Sequence, residues 1–191
     1  MTTAVKLKFS GGEALKAKLL NMSKGLERAK SVKVGFLADA TYPAGDGGAR
    51  LADAAKRVTP AMAAEHPDWK PRLEAWAKWQ AANSPTLKVA QVAFWAEFGT
   101  TTQKPRPFFR SMIRSKSPRW GYWLGRFLSG SEYDAEKALT KLGMKVSEQL
   151  QDSIESWPAD NAPLTVHIKQ FNKGLTDRGI MKDHVDFEVR G

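Results

Sequence analysis

Three histidines, His66, His167 and His184, are the only imidazoles in the chain, and no two have the helical spacing that pairs zinc ligands on one face. There is no cysteine, which removes thiolate nucleophiles, disulfides and cysteine-ligated zinc from consideration. The best acid-base or metal constellation is His184, Asp186 and Glu188, which fall on one face of a period-two pattern, with Asp177 and Asp183 nearby. Alternating charges on the outer face of an edge strand also prevent unwanted strand pairing, and that simpler role accounts for the pattern. The glycine-rich string AGDGGAR, residues 44–50, has neither of the spacings that cradle nucleotide phosphates. Glu97 is the one acid in an apolar helix end. Catalysis through a raised pKa is one reading; a salt bridge to an arginine such as Arg106 is the simpler one. The expectation is a non-enzymatic protein with no catalytic, cofactor or metal site.

Cations are the other chemistry on offer. The chain carries a formal net charge of +10 over 191 residues, and residues 98–131 hold seven bases and no acid. Lys104, Arg106, Arg110, Arg114, Lys116, Arg119 and Arg126 interleave there with Phe108, Phe109, Trp120 and Trp123. Cations among stacking rings are used on single-stranded nucleic acid, and arginine with aromatics equally makes protein interface hot spots. No helix-turn-helix, zinc-finger or RNA-binding motif accompanies them. An interface is therefore the leading expectation, with contact to DNA as the alternative.

The elements that must position these residues follow from periodicity. Val5, Leu7 and Phe9 alternate with lysines as in a strand, and Ser10 to Glu13 has capping-box spacing. Leu15, Leu19, Met22 and Leu26 mark the buried stripe of a helix over about 12–29. Val32, Val34 and Phe36 predict a second strand, ending near residue 38. Residues 49–84 are alanine-rich and carry Pro60, Pro67, Pro71, Trp69, Trp76 and Trp79. They predict a helical insertion whose tryptophan face is core, or a subunit contact if it protrudes. Residues 86–98 predict an apolar helix stopped by Gly99, with a helix or strand over 108–115. The stripe Leu139, Leu142, Val146, Leu150 and Ile154 predicts a long helix over 133–157 before Pro158. Strands are expected at 165–169 and 183–190.

Composition sets the bounds. With 42% apolar and 26% charged residues the chain reads as one globular domain over 1–191, long enough to bury a core. No apolar run reaches the roughly 20 residues that span a bilayer, and the first residues lack a signal-peptide core, so neither membrane association nor export by the usual route is expected. The predicted fold class is α+β: a small twisted antiparallel sheet packed against two main helices, with the Trp-rich helical insertion at 49–84.

The string VAFWAEFGTTTQKPRPFFRSMI, residues 92–113, resembles the tail-component or tail-completion family of tailed bacteriophages, marked by an E-F-G-T turn followed by R-P-F. Here these are Glu97, Phe98, Gly99 and Thr100, then Arg106, Pro107, Phe108 and Phe109. SVKVGFLADATYPAG, the helix from Gly143 to Ile154 and the ending from Asn161 resemble other parts of the same family. The ending departs from the family's usual D-T-G in having Asp177, Arg178 and Gly179, and the insertion is extra. The resemblance implies a structural virion protein at the head-tail junction, a tail-completion or neck component built as a homo-oligomeric, hexameric ring that contacts other phage neck and tail proteins. A tail terminator is the close alternative. It also implies location in the virion, with assembly in the host cytoplasm. In that setting Glu97, Phe98, Gly99, Thr100, Arg106, Pro107, Phe108, Phe109, Arg110 and Arg114 are the expected interface. Gly99 would turn the chain, Pro105 and Pro107 would stiffen the loop, Phe108 and Phe109 would anchor it, and Arg106 would be presented to a neighbouring subunit.

Overall fold

A computed structural model of the chain describes residues 12–36, 39–42, 47–83 and 86–191. The strand expected at Val5 to Phe9 and the start of its capping box lie outside the described residues. The fold is α+β, mostly helical with one two-stranded antiparallel sheet. In chain order the elements are α1 (Gly12–Glu27), β1 (Ser31–Phe36), α2 (Gly47–Lys56), α3 (Pro60–Glu65), α4 (Trp69–Asn83), α5 (Val89–Phe98), α6 (Phe108–Lys116), α7 (Trp120–Ser129), α8 (Ala135–Glu155), α9 (Pro163–Lys169), α10 (Ile180–Asp183) and β2 (Val185–Arg190). A single 3-10 turn, Ser117–Arg119, links α6 to α7. Among the described residues no helix is long and apolar enough to cross a membrane.

Contacts divide the chain into two compact units, the first being Met1–Val34, Lys116–Ser147 and Phe187–Gly191. Close approach in this unit depends on two glycines. A Cβ at Gly25 would stand 2.6 Å from the Tyr133 carbonyl oxygen, and one at Gly143 would stand 2.4 Å from the Phe187 ring and 2.9 Å from Val32. Arg28 donates to Asp134 at 2.9 Å, while Asp134 Oδ1 accepts the Lys137 N–H at 3.2 Å and so caps α8. The leucine stripe of α1 corrects the reading from periodicity. Leu15, Leu19, Leu20 and Leu26 form part of a helix as expected, yet all four are exposed. Only the Gly25 side is buried.

The second unit is Gly35–Ser115 with Glu148–Asp186. Its first core is made of small residues: Ala54 and Ala55 of α2 meet Leu73 of α4, with Leu51, Val58, Leu164 and Ile168 packed around them. Short side chains let the two helices approach closely, and Leu73 is fully buried as a result. Thr59 caps α3 by accepting the Met62 N–H, with Pro60 in the first position, where its missing N–H costs nothing.

The tryptophan face of α4 is not core. Leu73 and Ala77 take the buried ridge, Trp76 and Trp79 are exposed, and Arg72 lies 4.7 Å from the Trp76 ring. Trp69 is half-buried, stacked on His66 at 4.2 Å and tilted against His167 at 5.4 Å. A second correction concerns residues 165–169, which belong to helix α9 and not to a strand. Pro163 starts that helix, and the buried His167 on it hydrogen-bonds the Ala54 carbonyl at 2.8 Å.

Candidate functional site

Helix α5 has two faces. Val89, Ala93, Ala96 and Glu97 are buried, while Phe94 and Phe98 stand outside, 58% and 53% exposed, with ring centroids 4.7 Å apart. This is the helical period of the sequence made solid, since residues four apart share a side. A carboxylate at the C-terminal end of a helix is placed against the helix dipole. Glu97 escapes that penalty by serving the next helix.

Its carboxylate accepts the Phe109 N–H at 2.9 Å and the Arg110 N–H at 3.2 Å, capping the first turn of α6. The same oxygen takes the Arg110 Nε at 2.7 Å, and Arg110 Nη2 donates to the Glu97 carbonyl, an acceptor the end of α5 leaves open, at 3.2 Å. The guanidinium also lies 4.8 Å from the Phe98 ring centroid, where the face of the ring attracts a cation. Glu97 therefore pairs with Arg110, not with Arg106 as the spacing suggested.

The turn between the helices is self-contained. Gly99 has φ of +80°, and a Cβ there would stand 2.8 Å from the Gln103 carbonyl oxygen and 2.9 Å from the Pro105 nitrogen, so only glycine fits. Thr100 Oγ1 accepts the N–H groups of Thr102 and Gln103, and the Thr100 N–H donates to the Gln103 carbonyl at 2.9 Å. The Arg106 N–H returns to the Ala96 carbonyl at 2.7 Å.

Arg106 points inward, which corrects the expectation that it is presented to a neighbour. Its Nε reaches both Asp160 oxygens, at 3.0 and 2.8 Å. Burial alone would raise the Asp160 pKa, but hydrogen bonds from Arg106 and the Trp157 indole outweigh it and hold the carboxyl below its ordinary value. Phe108 is likewise internal: fully buried, edge-on to Phe36 at 6.3 Å, with its carbonyl accepting from Ser153 Oγ at 2.8 Å.

The ten residues expected at an interface thus separate into two sets. Glu97, Gly99, Arg106 and Phe108 build the helix-turn-helix brace from within, and Pro107 and Phe109 are half-buried. Phe98, Thr100, Arg110 and Arg114 are exposed. The sequence reading missed Phe94 and Ile113, both exposed; the signal was available, because Phe94 lies four residues before Phe98 and opposite the buried alanines. The basic stretch is also shared between the units: Lys104, Arg106, Arg110 and Arg114 belong to the second, and Lys116, Arg119 and Arg126 to the first.

The alternative chemistry does not assemble. His184 precedes β2, is exposed, and has its Nδ1 2.7 Å from the Ile180 carbonyl oxygen; Glu188 pairs with Arg190 at 2.7 Å. Among the described residues no three His, Asp or Glu side chains are grouped so as to hold a metal ion.

Set against known protein families, curated proteins and solved structures, the chain matches none.

Proposed function

We propose that this chain is a structural, non-enzymatic virion protein of a tailed phage, a tail-completion or neck component that joins head to tail as a ring of identical copies. The reading begins from the resemblance of Val92 to Ile113 to that family. The observation that carries it is the brace built by Glu97: one buried carboxylate caps α6, holds Arg110 and thereby fixes a cation over the exposed Phe98.

That arrangement is suited to binding. Side chains that are already ordered lose less freedom on association, and an apolar centre with an adjoining arginine is the composition of an interface hot spot. Phe94, Phe98, Arg110, Ile113 and Arg114 are then the contact surface, with Gly99, Arg106 and Phe108 as its rigid support. In a ring the patch meets a different surface of the next copy, a heterologous contact repeated until the circle closes.

The test is a phage carrying the double substitution Phe94→Ser and Phe98→Ser in this gene. The expected result is a lysate of separate filled heads and tails with infectious yield reduced at least about tenfold, the effect of losing about 1.4 kcal/mol per contact. Normal yields of joined particles would refute the proposal.

A further inference from the structure

Behind the brace, within the second unit, lies a cavity of about 500 Å³ bounded by α2, α5, α9 and the segment 174–181. Its walls are apolar, from Leu51, Leu87, Val92, Trp95, Leu175 and Met181, yet four cations reach it: Arg50, Arg106, Lys169 and Arg178. Two carboxylates stand against them. Asp177 takes Arg50 through both guanidinium nitrogens at 2.8 Å, and Asp160 takes Arg106. Four positive and two negative groups leave a formal excess of +2 in one partly enclosed space.

The cations are held in place before any ligand arrives. Arg50 and Arg106 are fixed by their carboxylates, and Lys169 Nζ donates to the Lys173 carbonyl at 2.7 Å, leaving further N–H donors on the ammonium. The corner beneath them is tight, since a Cβ at Gly174 would stand 2.3 Å from an Asp160 oxygen. Burial, then the charges of Arg106 and Arg50, lowers the pKa of Lys169 despite the opposing pull of Asp177. Tyr42 also faces the cavity; burial and the Asp177 charge push its hydroxyl up to about 12, so it remains a neutral donor at any ordinary pH.

An excess of positive charge among apolar walls is costly unless an anion neutralises it. Inorganic phosphate would supply charge and leave the apolar walls against water. A carboxylate bearing a small apolar group satisfies both parts, in the usual manner of pockets that bind through apolar walls and a few convergent polar groups. We infer that this cavity is a binding site for a carboxylate carried on a short apolar group, either an acidic residue of a peptide with an apolar neighbour or a free short-chain carboxylic acid. The site stands apart from the Phe94–Phe98 patch, so it is tested independently of the assembly role.

The experiment is a titration of the purified full chain followed by two-dimensional NMR of the Trp95 indole N–H, assigned with Trp95→Phe. The probes are hexanoate, acetyl-leucyl-glutamate amide, hexylamine and inorganic phosphate. Saturable shifts are expected with the two carboxylates, tighter for the dipeptide if the ligand is a polypeptide and tighter for hexanoate if it is a free acid. Hexylamine is expected to leave the signal unmoved. Lys169→Gln should weaken carboxylate binding about tenfold, the usual effect of losing one charge-assisted hydrogen bond, and Lys169→Arg should restore it. Val92→Phe, which fills the cavity without touching a charge, should abolish the shift. Absence of a saturable shift with both carboxylates, equal binding of phosphate or hexylamine, or indifference to Lys169→Gln and Val92→Phe would each overturn the inference.

Discussion

Glu97 and Arg110 meet at 2.7 Å with opposite exposures: the carboxylate side chain is 6% accessible and the arginine side chain 58%. One end of the pair belongs to the interior and the other to the surface, so a cap needed for folding also fixes the direction of a surface cation. The stability of the brace and the shape of the contact patch are coupled through this pair.

Removing the two partners should therefore cost different amounts. Glu97→Ala is expected to destabilise the chain by about 2 kcal/mol, combining a lost helix cap with hydrogen bonds to a buried charge. Arg110→Ala, at an exposed position, should cost less than about 1 kcal/mol. Urea denaturation of both variants measures the difference, and equal losses would contradict the asymmetry.

Gly99→Ala should be as harmful as losing the cap. The positive φ and the contact with the Gln103 carbonyl leave no room for a methyl group, and strain of this kind costs about 2 kcal/mol. A thermal or urea midpoint like that of the unaltered chain would show that the turn is free to rearrange.

Phe94→Ser with Phe98→Ser should separate folding from assembly. Both rings are exposed, so stability is expected to change by no more than about 0.5 kcal/mol, while self-association on tail tubes is lost. Circular dichroism melts paired with sedimentation of the tail-bound protein read the two effects separately.

Acid should loosen two clamps. Asp160 and Asp177 both sit below the ordinary value of 3.8 when folded, Asp177 mainly through its hydrogen bonds from Arg50 and Asp160 through Arg106 and Trp157 against opposing burial. A depressed carboxyl contributes stability above its unfolded pKa and loses it as pH falls through the folded one. Stability should thus decline below about pH 4, with a shallower decline in Asp160→Asn and Asp177→Asn.

Alkali should act through Tyr42. Its folded pKa of about 12 lies above the ordinary 10, so its contribution is intact below pH 10 and is lost as pH rises toward 12. Tyr42→Phe should flatten that limb of the stability curve, measured by urea denaturation at several pH values.

The long helix α8 and the apolar α5 were legible because their patterns persist over several turns, as was the stop at Gly99. Residues 165–169 were misread because five residues of alternating character satisfy a strand as well as a helix. The deciding features were Pro163 at the helix start and the His167 bond to Ala54, more than a hundred residues away in the chain. The tryptophans of α4 misled for a different reason: burial went to Leu73 and Ala77, which fit the close approach of α2, and the large rings were left outside. The stripe of α1 shows that periodicity identifies a helix without showing what covers it. Arg106 was rightly singled out, but its partner Asp160 lies 54 residues further along, beyond what local spacing can show.

The central claim is that this chain is part of the phage particle at the head-tail junction. Immunogold electron microscopy of purified virions, with antibody raised against the chain, tests it most directly. The assembly reading predicts label at a single position on each particle, where head meets tail. Virions without label, or label scattered over the capsid or along the tail, would contradict it.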